Sequence, residues 1–192
     1  DDVIFNNAAK HWTLIEKIIY MINKGEAEAE NILVLCFSRS AVEVVRSRLA
    51  DAAKTGCIDY QWQAVEVRTF DSFSTYMLAW VQENHKKLLT KDFRLETCNY
   101  DQRIKAATSI FKEKRDILAD YEHIMVDEVQ DLVGSRAELV LAMLRGLPET
   151  CGFTLLGDFC QALYDYMAKD NPLVMSSDQF YQEIFKSFPN AN

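Results

Sequence analysis

The chain has 192 residues, of which 49% are hydrophobic and 26% charged, and its formal net charge is −8. This composition is typical of a soluble globular domain with a substantial core, and it excludes a disordered chain. The acidic charge argues against a general nucleic-acid binder, which needs a basic surface, but it allows a domain that holds one short strand in a local groove.

No apolar run approaches the length that spans a bilayer, so we expect no membrane association. The five cysteines, at positions 36, 57, 98, 151 and 160, show no metal-ligand spacing. Three of them lie in or beside apolar runs, which indicates buried free thiols and predicts a cytoplasmic protein.

Strands and helices alternate along the chain, which predicts a parallel sheet covered by helices on both faces. The first strand is predicted at Val3–Phe5, and isoleucines at helical spacing predict a helix that ends at Gly25. The apolar run Ile32–Phe37 predicts a strand that is buried on both faces. A capping box of Ser40 and Glu43 predicts the start of the next helix. Its buried side is predicted to be Ala41, Val44, Val45 and Leu49.

The third strand is predicted at Ala64–Thr69, before a helix. That helix is predicted to bury Phe73, Tyr76, Met77 and Trp80. Between positions 84 and 120 the strand patterns disappear, and one amphipathic helix is indicated by Ile104, Ala107 and Phe111. We therefore expect a small helical insertion at 84–120 within a single domain that spans 1–192.

Two more strands are predicted, at His123–Val126 and Phe153–Leu156. The helix between them is predicted to be capped by Ser135 and Glu138. The last helix is predicted to begin after Ser176 or Ser177. It is predicted to bury Phe180, Ile184 and Phe185.

The strand His123–Val126 ends at two adjacent acids, Asp127 and Glu128. P-loop NTPases present Mg²⁺ and water to a nucleoside triphosphate from such a strand end. Taken alone, the pattern also fits a buried strand followed by an ordinary acidic turn. Three other strands end in loops with marked residues, CFSRSA, TFDSF and GDFCQALY. Because such loops meet at one edge of a parallel sheet, we expect a binding site there.

These loops resemble the motifs of the UvrD/Rep-like superfamily 1 DNA helicases. The second and third helicase motifs are similar to VDEVQD and LLGDFCQALYDY. Motif Ia and the segment after it are similar to LVLCFSRSAVEVVRSRL and RTFDSFSTYML. The resemblance implies an α/β RecA-like P-loop NTPase fold. It also implies the N-terminal ATPase lobe of an ATP-dependent helicase that moves along single-stranded DNA.

The resemblance also implies roles for individual residues. Asp127 would hold Mg²⁺, and Glu128 would activate the water that attacks the γ-phosphate of ATP. Gln161 would sense that phosphate, and Tyr164 would stack on a base of single-stranded DNA. Further DNA contacts are implied for Phe37, Ser38, Arg39, Thr69 and Phe70. Considered singly, the aromatic residues among these also fit as core side chains.

The phosphate-binding loop departs from the family pattern G-x-x-x-x-G-K-[ST]. Lys10 aligns with the phosphate-binding lysine, but Ala9 replaces the preceding glycine and His11 replaces the hydroxyl residue. Thr13 and Glu16 form a capping box that would also allow a later helix start. Either this copy has lost nucleotide binding, or the full protein carries loop residues that this sequence lacks.

The family also needs a second RecA-like lobe, and nothing after Gly157–Tyr166 resembles one. We therefore expect a single lobe that acts with a second lobe in the full-length chain and does not unwind DNA alone. The alternative is a degenerate lobe that binds DNA or protein without hydrolysing ATP. The altered loop and the acidic charge favour this alternative, whereas intact Asp127, Glu128 and Gln161 oppose it. A kinase or GTPase is disfavoured by the pair VDEVQD and GDFCQALY.

Overall fold

A parallel sheet lies at the centre of the computed structural model, which describes residues 2–5, 10–58, 60–158 and 174–189. Its strands are β1 (Asp2–Phe5), β2 (Ile32–Cys36), β3 (Glu66–Thr69), β4 (His123–Val126) and β5 (Gly152–Gly157). They lie in the order β1-β5-β4-β2-β3, and every neighbouring pair is parallel. The C-terminal end of β4 is therefore flanked by the ends of β2 and β5. The predicted parallel α/β architecture is confirmed.

Helices follow the strands as the sequence pattern predicts. They are α1 (Lys10–Lys24), α2 (Arg39–Lys54), α3 (Phe70–Asn84), α4 (Tyr100–Glu113), α5 (Gly134–Arg145) and α6 (Ser177–Ser187). The predicted start of α6 after Ser176 is confirmed, because the Ser176 hydroxyl accepts a hydrogen bond from the Gln179 amide at 3.2 Å. Helix α1 begins at Lys10, earlier than a cap at Thr13 would place it.

Two cores cover the two faces of the sheet, because side chains alternate along each strand. On β2, Leu33 and Leu35 face the core formed with α3 to α6, whereas Ile32, Val34 and Cys36 face the core formed with α1 and α2. All five residues of β2 are buried, which explains its continuous apolar sequence. The helices on both faces therefore fix the ends of the strands along one edge of the sheet.

Two predicted helix caps are wrong. The cap of α2 is Ser38, whose hydroxyl accepts from the Ala41 amide at 3.1 Å, and not Ser40, which already lies within the helix. Helix α5 begins one residue before Ser135 and has no side-chain cap; the Ser135 hydroxyl instead donates to Asp101 at 3.2 Å. In both cases the helix starts earlier than the apolar periodicity indicates, so the predicted cap falls inside it.

The buried stripe of α3 also differs from the predicted one. Its buried residues follow a strict helical period and are Phe70, Phe73, Ser74, Met77, Leu78 and Val81. Tyr76 lies off this stripe and is 42% exposed, so the prediction that it is buried is wrong. The same error affects Val44 on α2 and Phe185 on α6, which are also exposed.

The segment 84–120 contains helix α4 and short 3₁₀ turns, and no strand lies among these residues. The predicted burial of Ile104, Ala107 and Phe111 is confirmed. The Phe111 ring stacks against Phe73 of α3 at a centroid distance of 6.2 Å, so α4 belongs to the same core as α3. Its status as an insertion within a single domain at 1–192 stays a prediction.

Candidate functional site

The acidic residues Asp127 and Glu128 follow the central strand β4 at the carboxyl edge of the sheet. The last residue of β4, Val126, pairs with Leu35 on one side and Leu155 on the other. The Asp127 amide extends this ladder by donating to the Leu35 carbonyl at 2.9 Å. Asp127 is fully buried. Strand pairing thus fixes the position of the first carboxylate.

Glu128 has a left-handed backbone conformation, with φ 55° and ψ 44°. It is the one non-glycine residue with positive φ in the part of the chain that the structure describes. Its amide donates to the Asp127 carboxylate at 3.0 Å. A non-glycine residue in this conformation costs backbone free energy, and such residues cluster at functional sites. Glu128 therefore holds a strained backbone conformation directly beside the buried Asp127 carboxylate.

Gln130 joins the acidic loop to the end of β5. It is 2% exposed, its side-chain amide donates to the Glu128 carboxylate, and its side-chain oxygen accepts from the Asp158 amide at 2.9 Å. The carboxylate that we expect to carry the chemistry is therefore held by a buried side chain. Gln130 was not among the predicted site residues, although its place two residues after Glu128 was a signal.

Gly157, the last residue of β5, lets that strand approach the acidic loop closely. A Cβ built at Gly157 would lie 2.6 Å from Val129 Cγ2 and 2.9 Å from Gln130 Oε1. Both distances are shorter than van der Waals contact. Only glycine therefore fits between β5 and the Gln130 side chain.

The acidic residues at this edge affect the pKa of Cys36, the last residue of β2. Burial raises the pKa of the Cys36 thiol well above its usual range, and the carboxylates of Asp127 and Glu128 raise it further. The Arg46 guanidinium opposes this shift. The thiol therefore stays protonated, chiefly because it is buried, and two carboxylates lie close enough to raise its pKa further. Carboxylates at a strand end favour a divalent cation as their ligand.

The chemistry of the donors fits Mg²⁺ as well. Mg²⁺ prefers carboxylate oxygen, and it is usually held by one or two carboxylates together with substrate phosphates. Asp127 supplies one such carboxylate at the strand end, and the phosphates of a bound nucleotide would supply further oxygen ligands. Within the described ranges no group of three or more His, Cys, Asp or Glu side chains could hold a metal ion.

The loops after β2 and β3 carry five of the six residues predicted to contact DNA. Phe37 is partly buried, Ser38 and Arg39 are exposed, and the Ser38 hydroxyl caps α2. After β3, Thr69 is partly buried and its hydroxyl caps α3, accepting from the Ser72 amide at 3.2 Å. Of the five predicted DNA contacts that the structure describes, these four are at least partly exposed at this edge.

Phe70 is the exception. It is fully buried in the core that also contains Phe73. The expectation that Phe70 lines the DNA strand is therefore corrected: its ring is the first member of the buried stripe of α3. The alternative interpretation, that Phe70 is an aromatic residue of the core, describes it correctly.

Arg136, in the first turn of α5, connects two of these loops. Its guanidinium lies 3.3 Å from the Asp71 carboxylate and 5.5 Å from the centroid of the Phe37 ring. Arg136 was not among the predicted site residues. A signal was available, because a cation in the first turn of a helix is opposed by the helix dipole and needs a specific partner.

The remaining predicted site residues lie at the start of a described range or outside the described ranges. Helix α1 begins at Lys10, beyond the end of β1 at Phe5, and β1 pairs with β5 so that Phe5 is opposite Gly157. Residues 6–9 lie outside the described residues, as do Gln161 and Tyr164. The roles expected for Lys10, Gln161 and Tyr164 stay predictions.

A family model described as the UvrD/REP helicase N-terminal domain matches residues 9–97 and 80–182. The chain belongs to this family. The matched residues include all four strand-end loops on which the resemblance was based. The order of strands and the helices on both faces are those of the RecA-like lobe expected for a UvrD/Rep-like superfamily 1 helicase. No curated protein sequence matches the chain.

In a UvrD/REP helicase N-terminal domain, two loops at this edge are predicted to bind ligands. They are the acidic loop after β4 and the Phe37 loop after β2. Arg136 contacts both Phe37 and Asp71, so it links the Phe37 loop to the start of α3. Among the described helices, none is both long and apolar enough to cross a membrane.

Proposed function

We propose that this chain is the N-terminal ATPase lobe of a DNA helicase or translocase, which couples hydrolysis of Mg-ATP to movement on single-stranded DNA. The observation that carries the proposal is the pair Asp127 and Glu128 at the end of the central strand, with Glu128 held by Gln130. Membership in the UvrD/REP helicase N-terminal domain family supports it.

In this proposal each side chain at the edge has a separate task. Asp127 would hold Mg²⁺, directly or through water; the bound ion would supply positive charge against the phosphates. Glu128 would orient the attacking water and accept its proton. Gln130 would keep the Glu128 carboxylate in place, because it is itself fixed to the Asp158 amide. Lys10 and Gln161 would contact the nucleotide phosphates.

Single-stranded DNA would bind at the exposed loops beside this centre. Phe37 and Tyr164 offer rings for base stacking, and Arg39 offers a cation for the backbone. Ser38 and Thr69 would contribute polar contacts, although both hydroxyls also cap helices. Arg136 contacts both Phe37 and Asp71, so a movement of α5 would displace the Phe37 loop.

The full-length protein would supply a second RecA-like lobe, and ATP would lie between the two lobes. Closure and opening of the lobes would then move the DNA strand. The chain alone is not expected to unwind DNA, because the residues that complete the nucleotide site belong to the other lobe.

A second candidate function is a lobe that binds DNA or protein without hydrolysing ATP. One observation favours it: the phosphate loop reads Ala9-Lys10-His11, without the glycine and hydroxyl residue of the family pattern. Side chains at these positions would crowd a nucleotide, and an imidazole does not replace a hydroxyl as a ligand of Mg²⁺.

The test is Glu128→Gln in the full-length protein, measured by ATP binding and steady-state hydrolysis. Loss of a general base should lower turnover by about 10²–10⁴-fold, while ATP binding is kept. Glu138→Gln on α5 is the matched control, since it makes the same change away from the strand end and should leave turnover unaltered.

Wild-type turnover in Glu128→Gln would contradict the role given to Glu128. If the wild-type protein shows no saturable binding of Mg-ATP, the binding-module candidate replaces the ATPase proposal. The first outcome is read from steady-state hydrolysis and the second from the binding titration.

A further inference from the structure

A small pocket lies at the amino edge of the sheet, opposite to the edge that carries the acidic pair. Glu30 lies just before β2, and Glu66 is the first residue of β3. Asp120 and Tyr121 lie just before β4. Because these three strands are parallel, their first residues meet at this edge. The pocket is therefore separate from the candidate nucleotide site.

The size of the pocket limits what it can hold. Its volume is about 200 Å³. Known small-molecule and cofactor sites have volumes of about 300–1,000 Å³. The pocket is therefore too small for a nucleotide or a cofactor, but a single side chain of a partner protein would fit.

Three aromatic rings form walls of the pocket. Tyr76 and Trp80 lie one helical turn apart on α3, and Tyr121 lies opposite them in sequence, before β4. The Tyr121 ring packs edge-on against Phe73 at a centroid distance of 6.4 Å, and the Trp80 ring lies 4.9 Å from the His85 ring. These contacts hold the rings in place before any ligand binds. Faces of tryptophan and tyrosine rings attract cations.

Glu66 fixes the Tyr121 wall. The Tyr121 hydroxyl donates to one carboxylate oxygen of Glu66 at 2.5 Å, and the Arg68 guanidinium pairs with the other. Burial raises the pKa of the Tyr121 hydroxyl well above its usual range, and the Glu66 carboxylate raises it further, so the hydroxyl remains a donor. Arg68 also lies 4.3 Å from the centroid of the Tyr76 ring. This side of the pocket thus already contains one guanidinium packed on an aromatic ring.

The pocket is acidic. Three carboxylates line it, and no basic residue is among the described residues of its lining. Arg68, outside the lining, offsets the charge of Glu66. Glu30 and Asp120 are exposed, and neither forms an ion pair with another described residue. Two carboxylates are therefore available to a cationic ligand beside the aromatic walls.

We propose that this aromatic–acidic pocket binds an arginine side chain of a partner protein. The pocket is defined by Glu30, Glu66, Tyr76, Trp80, Asp120 and Tyr121. A guanidinium is planar, so it can stack on an aromatic ring while it donates to carboxylates. Arginine is also enriched at protein interfaces, where lysine is depleted, and it is frequent among the residues that dominate binding energy. The inference is independent of the proposed function, because the pocket lies at the opposite edge of the sheet.

The test is fluorine NMR of the full-length protein labelled with fluorotryptophan. The probe is a blocked tripeptide with arginine between two glycines, titrated at constant ionic strength. The Trp80 signal, assigned by its loss in Trp80→Phe, should shift saturably, whereas the signal of Trp62, which lies outside the pocket, should not. A ligand of this size should bind with a dissociation constant in roughly the millimolar range.

Two further tripeptides separate charge from shape. Citrulline has the shape of arginine without its charge, so the citrulline peptide should give no saturable shift. The lysine peptide keeps the charge but loses the planar group, and it should bind at least about threefold more weakly.

The double variant Glu30→Gln/Asp120→Asn removes the available charge and should weaken binding of the arginine peptide about threefold or more. The matched control is Asp92→Asn/Glu96→Gln, which makes the same changes at exposed positions outside the pocket. This control should bind as wild type does. Thermal unfolding of both double variants reports whether they fold.

Absence of a saturable Trp80 shift with the arginine peptide would overturn the pocket and leave the proposed function standing. Equal binding of the citrulline peptide would overturn charge as the basis of recognition, and equal binding of the lysine peptide would overturn the choice of arginine. Wild-type affinity in the folded Glu30→Gln/Asp120→Asn variant would overturn the role of the carboxylates.

Discussion

Gly157→Ala should destabilise the chain through one specific contact. The added methyl group would lie 2.6 Å from Val129 Cγ2, about 0.8 Å short of the 3.4 Å at which ordinary contact begins. Val129 is fully buried, and its short branched side chain has no room to move aside. The methyl group would also press on Gln130 Oε1, which accepts from the Asp158 amide. Overpacking of this kind costs about 1–3 kcal/mol.

The free energy of unfolding is measured by urea titration of the 192-residue chain, followed by circular dichroism. For a domain of this size each kcal/mol lowers the midpoint of thermal unfolding by about 2–4 °C. Val129→Ala removes the atom nearest to the new methyl group. The double variant Gly157→Ala/Val129→Ala should therefore lose less free energy of unfolding than the two single variants lose together. The expected coupling is about 1 kcal/mol.

Val45→Ala provides the control cycle. Val45 is also fully buried, but it lies in the core on the opposite face of the sheet. Its cost should add to that of Gly157→Ala without coupling. The reasoning is refuted if Gly157→Ala has wild-type stability, or if its cost is additive with that of Val129→Ala.

Three further predictions follow from other contacts. Arg136→Met should lower the free energy of unfolding by about 1 kcal/mol, because the ion pair with Asp71 is partly exposed; a double-mutant cycle with Asp71→Asn measures the pair. Burial and the Glu122 carboxylate raise the pKa of the Cys151 thiol from 9.0 to about 12, so the folded chain keeps a proton that the unfolded chain loses. Stability should therefore fall as the pH rises from 9.0 towards 12, and urea titrations of Cys151→Ala should show a shallower fall. Arg39→Ala should reduce the slope of DNA affinity against salt concentration by about 1, measured by anisotropy; an unchanged slope would mean that Arg39 contacts no phosphate.

The architecture was predictable because the central strands are buried on both faces. Burial of every residue from Ile32 to Cys36 requires a continuous apolar run, and such runs separated by helical periodicity leave few arrangements other than a parallel sheet. The acidic pair was predictable for the same reason: Asp127 and Glu128 interrupt an apolar run at its C-terminal end. Strand position thus carries much of the information about this site.

Contacts between distant elements could not be predicted in this way. Arg136 and Asp71 are separated by 65 residues, and no local pattern joins them. Tyr76 was misplaced because an aromatic residue near a buried stripe is usually buried, and one helical step decides otherwise.

The left-handed backbone of Glu128 implies a trade-off between stability and activity. This conformation costs a non-glycine residue on the order of 1 kcal/mol, which a glycine at the same position would not lose. A glycine would carry no carboxylate, however, and the side-chain amide group of Gln130 would lose the carboxylate to which it donates. Selection for thermal stability alone would therefore favour replacement of Glu128, at the position where we propose that the chemistry occurs.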